Sequence, residues 1–130
     1  MNSKVLQLYS LDKKIALVTG AAQGMGAAIS KQLAELGATV ILTDINEAAV
    51  RETSESFAAE GLSTDYLKID ITDTSNIQTA ADYLKKNYGR LDILVNNAGA
   101  ANDKLALEHD DNDWRKMMAV NLDGTFFYVA

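Results

Sequence analysis

Apolar residues recur along this chain in two alternating rhythms. Ile15-Ala16-Leu17-Val18 is an unbroken run of strand-formers that ends in Thr19-Gly20. Beyond Gly26 the rhythm becomes helical, with Ile29, Leu33 and Leu36 at i, i+4 and i+7. The pattern predicts a strand over about 14–20 and a helix over about 24–36, closed by Gly37. A second strand follows at 39–44, and Asn46 is placed to cap a second helix that carries Val50 and Phe57 and is followed by Gly61. A third strand spans about 63–70. The third helix spans about 74–88, with Ile77, Ala81, Leu84 and Tyr88 on one stripe and Gly89 after it. A fourth strand covers 91–96. Glycine after each helix fits a left-handed C-terminal cap. The near-continuous apolar runs of strands two and four fit a sheet covered on both faces. Alternating βαβα with short connections predicts an α/β fold, a Rossmann-like doubly wound parallel sheet in the order 3-2-1-4. Its ligand crevice should lie where the order reverses, beside strand one.

A further helix starts near Asp110–Asp113. Trp114, Met118, Leu122 and Phe126 follow at spacing four, with Val129 near the same face. Asn121 lies next to Met117 and Leu122 and is expected to face inward. Neither a glycine cap nor a terminal cation closes this helix, and strand four would be an open sheet edge. The expectation is the front part of a longer protein: one incomplete nucleotide-binding domain over 1–130, cut before a fifth strand, with 1–12 as an N-terminal extension.

Composition narrows the function classes. A length of 130 residues suits one domain with a real core. A net charge of −6 argues against nucleic-acid or anionic-membrane partners, which need a basic face. With no cysteine there is no disulfide framework and no thiolate metal site. No apolar run approaches the ~20 residues of a membrane span, and a cytoplasmic location is the default expectation.

The candidate chemistry starts at the glycine turn. Gly20, Gly24 and Gly26, with Gln23 and Met25 between them, join a strand to a helix N-terminus. Such an end offers unpaired N–H groups and partial positive charge to a diphosphate. A tight connection that binds nothing is the alternative. Asp44, followed by Ile45, ends strand two about 20 residues on, where a carboxylate can take both ribose hydroxyls and repel a 2′-phosphate. That favours NAD over NADP; capping of helix two is the bland alternative. Asp70 and Ile71 end strand three on the same rim, where Asp70 either holds an adenine amino group or caps helix three. Asn96-Asn97-Ala98-Gly99 ends strand four, where small residues allow close backbone approach and amides can tie loops together. Asn121 sits mid-helix, where asparagine is disfavoured, and either binds water or a carbonyl at a site or is a satisfied structural amide. The cluster Glu108, His109, Asp110, Asp111 and Asp113 reads as helix capping, not as metal ligands. Trp114 reads as helix-face packing. Tyr9 and Lys13 have the spacing of a proton-transfer pair, but they precede strand one, away from the ligand-binding ends of the strands.

Together these residues resemble the short-chain dehydrogenase/reductase (SDR) family over about 12–130. Thr19-Gly20-Ala21-Ala22-Gln23-Gly24-Met25-Gly26 is similar to its TGxxxGxG cofactor loop. Asp44 is similar to its NAD-selecting acid, Asp70-Ile71 to its adenine-contacting pair, and Asn96-Asn97-Ala98-Gly99 to its NNAG motif. Val120 to Phe126 resembles the segment with its catalytic asparagine, here Asn121, which holds a water in a proton relay. The resemblance implies an NAD-dependent oxidoreductase acting between an alcohol and a ketone, and a homo-oligomer at full length. The family's serine and Tyr-x-x-x-Lys lie beyond the stretch matched here, so the 130 residues alone are expected to be inactive. A non-catalytic NAD-binding fragment and an interaction fragment are the alternatives.

Overall fold

The computed structural model describes residues 3–129. Four parallel strands form one sheet in the order β3-β2-β1-β4, as the alternation predicts. They are β1 (Ile15–Thr19), β2 (Thr39–Asp44), β3 (Thr64–Lys68) and β4 (Ile93–Val95). Val18 lies opposite both Leu42 and Val95, so the ends of the three strands are level at the rim where β1 opens into the glycine turn. β3 and β4 are shorter than the sequence pattern implies, and each is an edge strand with one neighbour.

Strand alternation divides the core into two layers. Ala16, Val18, Val40 and Leu42 face one side, with Ala34 of α2 (Gly24–Glu35) and Val50 of α3 (Glu47–Ala59). Leu17 and Ile41 face the other, with Ala80 and Leu84 of α4 (Thr74–Asn87). Tyr128 of α6 (Gly124–Val129) packs against this second layer. Leu17, Ile41 and Leu42 are fully buried, and each such burial contributes about 1.5–3 kcal/mol. Gly37, Gly61 and Gly89 after α2, α3 and α4 all take positive φ, as their places after helices imply.

Side chains cap three helices, at two of them as the sequence implies. Asn46 accepts from the Ala49 amide at 3.1 Å to start α3. Asp73 accepts from the Ser75 amide at 2.9 Å to start α4, so Asp70 is not the cap. Asp110 accepts from Asp113 N at 2.8 Å, and Asp113 accepts from Asp110 N at 3.1 Å, forming a reciprocal box at α5 (Asp111–Met118). The acidic cluster is therefore helix-start chemistry. Gln23, the N-cap of α2, makes no side-chain capping hydrogen bond.

Three features depart from expectation. The N-terminal stretch contains a short helix, α1 (Ser3–Leu8), without apolar periodicity long enough to announce it. The last helix is interrupted by a π turn at Ala119–Asp123. Its wider winding shifts the later residues off a 3.6-residue stripe. Trp114, Leu122 and Phe126 stand 66%, 54% and 64% exposed, so Trp114 is not packed into the helix face. Gly124, on the opposite side of this segment, is the buried contact, meeting Ile71. Asn121, expected inward, is exposed as well.

Candidate functional site

The crevice opens at the carboxyl ends of the strands, with a volume of about 430 Å³. Gly20, Asp44, Ile45, Asp70, Ile71, Ala98 and Gly99 all line it, so residues from four separate loops converge as the sequence pattern requires. Its walls are mostly apolar, from Ile45, Ile69, Ile71 and Val120. Its charged groups are the carboxylates of Asp44 and Asp70 and the ammonium of Lys116.

The glycine turn is bound to the segment after β4 by hydrogen bonds between side chains and main chain. Thr19 Oγ1 accepts from Asn97 N at 3.1 Å and from Ala98 N at 3.0 Å. The Asn97 amide donates in turn to the carbonyls of Thr19 and Gly20, both at 3.0 Å. Asn97 therefore does not line the crevice; it holds β4's loop against the start of the turn. A Cβ at Gly20 would lie 2.8 Å from Ala98 Cα, and one at Gly26 would overlap the Gly20 carbonyl and lie 2.6 Å from Asn97 Nδ2. Both glycines are required by packing. Gly24 differs: a Cβ there would meet nothing within 4 Å, while its φ of +58° is one that L side chains rarely adopt. Open space thus adjoins the uncapped first turn of α2. Gln23 and Met25 are exposed, Met25 by 77%, and none of Gln23, Gly24, Met25 and Gly26 lines the crevice.

Asp44 is aimed at this turn. Its Oδ2 accepts from Ala22 N at 3.2 Å and its Oδ1 from Asn46 N at 3.0 Å. It thus ties β2 to the glycine turn while lining the crevice. Asp70 Oδ1 accepts from the amide and the hydroxyl of Thr72, at 2.9 and 2.7 Å. Asn121 is paired on both sides: Oδ1 accepts from Ala100 N at 3.0 Å and Nδ2 donates to Ala100 O at 2.9 Å. These two hydrogen bonds to one residue join the π turn to the segment after Gly99, and Ala100 lines the crevice. Asn96 keeps its Oδ1 buried without a hydrogen-bond partner among the described residues.

Beyond the site sits a charged latch. Lys104 bonds Asp113 at 2.6 Å, and Asn102 Nδ2 donates to the other oxygen of Asp113 at 3.1 Å. The Lys104 hydrogen bond, followed by the Asp110 amide, pulls the Asp113 carboxyl down to about 2. Sequence reasoning did not single out Thr19, Thr72 or Lys116 as site residues. Thr19 belongs to the glycine-loop motif, but its role depends on a strand 76 residues and more away in sequence. Tyr9 and Lys13 precede β1, at the far end of the strand from the crevice.

A family model described as short chain dehydrogenase matches residues 14–130. The chain belongs to that family. Its similarity to a D-threitol dehydrogenase of Mycolicibacterium smegmatis is 39% identity over 118 residues, covering 91% of this chain and 45% of that protein. The 3-oxoacyl-acyl-carrier-protein reductase FabG of Salmonella typhimurium is 37% identical over 117 residues, 90% of this chain and 47% of that one. Among solved structures, a gluconate 5-dehydrogenase from Burkholderia cenocepacia in complex with NADP and tartrate superposes with a TM-score of 0.88. It is 34% identical, covering 96% of this chain and 49% of that one. A short-chain dehydrogenase/reductase from Burkholderia phymatum in complex with NAD also gives 0.88, at 30% identity, with 93% and 43% covered. The chain spans about half the length of these relatives. Among the described residues no helix is long and apolar enough to cross a membrane.

Proposed function

We propose that this chain is the cofactor-binding portion of an NAD-dependent short-chain dehydrogenase that interconverts an alcohol and a ketone. The observation that carries the proposal is the convergence of Gly20, at the start of the glycine turn, with the Asp44 and Asp70 carboxylates and with Ala98 and Gly99 in one crevice. The diphosphate would take the first amides of α2, from Gln23 to Gly26, where the helix end adds partial positive charge. Asp44 would take the ribose hydroxyls and Ile45 one side of the adenine. Asp70 and Ile71 would line its far side, and Ala98 and Gly99 would let backbone come close to the cofactor. Gly20 and Asn97 support the turn from behind. Asn121 is the catalytic asparagine of this reading, with its amide bracing Ala100.

When bound, NAD supplies a nicotinamide carbon that exchanges hydride with the substrate. These residues hold and orient it, and the groups that exchange the substrate proton come from elsewhere in a full-length enzyme. The 130 residues therefore bind NAD without turnover. The exposure of Trp114, Leu122 and Phe126 supports a homo-oligomer, and the family resemblance supports a cytoplasmic setting. NAD is favoured over NADP because a 2′-phosphate would meet the Asp44 carboxylate.

Isothermal titration with both cofactors tests this. Asp44→Ala should cost NAD about 1.5–3 kcal/mol, the range for hydrogen bonds to a charged acceptor, and should narrow the gap to NADP. Unchanged affinity for both cofactors would remove the assignment of Asp44.

A further inference from the structure

Thr53 lies outside the crevice, on α3, with no place in the cofactor reading. Its hydroxyl reaches 31 residues back along the chain and donates to the Ala22 carbonyl at 2.7 Å. A second acceptor, the Ala49 carbonyl one turn back, is at 3.1 Å. One hydroxyl carries one proton, and the shorter distance assigns it mainly to Ala22. The same residue, Ala22, donates its own amide to Asp44 Oδ2 at 3.2 Å. Asp44 Oδ1 accepts from the amide of Asn46 at 3.0 Å, and Asn46 caps the helix that carries Thr53.

These contacts close a ring: Asp44 to Asn46, Asn46 to α3, α3 through Thr53 to Ala22, and Ala22 back to Asp44. Each carboxylate oxygen is held by one backbone amide, leaving its remaining lone pair for a ligand. Neither amide aims the carboxylate unless it is itself held. Asn46 is held by the start of α3. Ala22 is in a turn between β1 and α2, where Thr53 is the side chain that grips its carbonyl.

We infer that Thr53 is a positioning residue for cofactor choice: by holding Ala22 it keeps the Asp44 carboxylate aimed at the adenosine ribose. The inference rests on the proposed NAD site. A carboxylate in one orientation both grips two vicinal hydroxyls and excludes a phosphate on one of them. A carboxylate free to turn does each less well, so loss of the clamp should weaken NAD and tolerate NADP.

The variant Thr53→Val keeps the branched shape and removes only the hydroxyl; Thr53→Ser keeps the hydroxyl. Titration of the wild-type chain and both variants with NAD and NADP gives the test, with melting temperature measured in parallel. Thr53→Val should bind NAD about threefold to tenfold more weakly, the equivalent of one neutral hydrogen bond, and its NAD-to-NADP preference should shrink. Thr53→Ser should restore both. A lower melting temperature with an unchanged preference ratio would make Thr53 a brace and overturn the inference. So would a Thr53→Val chain that binds like wild type. A wild-type chain that binds neither dinucleotide would instead bring down the NAD site itself, and the inference with it.

Discussion

Gly26→Ala puts the packing of the turn to a direct test. Gly26 is buried in the first turn of α2. The added methyl would overlap the Gly20 carbonyl and lie 2.6 Å from Asn97 Nδ2. The first of these is backbone held by Asn97, so it cannot swing away as a flexible side chain would. Overpacking a dense site costs about 1–3 kcal/mol. Displacing the Asn97 amide also endangers its bonds to the Thr19 and Gly20 carbonyls, each contributing about 0.5–1.5 kcal/mol. Alanine's better helix propensity returns at most about 1 kcal/mol. Packing wins, and the net loss is about 3 kcal/mol, within about 1–5. With a urea slope of about 1.5–3 kcal/mol/M, the unfolding midpoint should fall by about 1–2 M. Gly24→Ala is the control, because its methyl meets no atom within 4 Å. Its left-handed backbone costs about 1–2 kcal/mol, but its main effect should be on NAD binding, since Gly24 stands in the first turn of α2, where the proposed diphosphate would sit. Urea unfolding and NAD titration of the two variants should therefore separate. A Gly26→Ala chain as stable as wild type, or a Gly24→Ala chain that binds NAD equally well, would refute the cradle.

Other consequences arise from the same contacts. Asn97→Ala removes both donations to the turn and should cost about 1–3 kcal/mol by denaturant titration, with NAD affinity falling because the turn loses its backing. Asp113 titrates at about 2, chiefly because of Lys104, below the ordinary carboxylate value. Its stabilisation is thus complete above pH ~4 and is lost as pH falls toward 2. Asp113→Asn should flatten that part of an acid-unfolding profile, and an unaltered profile would disprove the latch. At the other extreme, burial and then the Asp65 hydrogen bond raise Tyr83 to about 12. A raised phenol resists ionising in the folded chain, so stability should decline from pH ~10 upward. Tyr83→Phe should reduce that decline, which circular dichroism at alkaline pH can follow.

Much of the architecture was legible in one dimension because its causes are local. The run at Ile15–Val18, the cap at Asn46 and the glycines at 37, 61 and 89 each act within a few residues, and strand order followed from short right-handed crossovers. Convergence of Gly20, Asp44, Asp70 and Ala98 on one crevice followed too, since the ends of parallel strands meet on one rim. What tertiary structure alone decided lies in contacts between distant segments. Residue spacing could not reveal that Asn121 would clasp Ala100, or that Trp114 would stand in solvent. Thr53 gave no signal at all, because a hydroxyl on a helix acquires its meaning only when another segment presents a carbonyl to it. Periodicity and capping report what a residue does to its own element; hydrogen bonds across 20 to 80 positions depend on how finished elements pack.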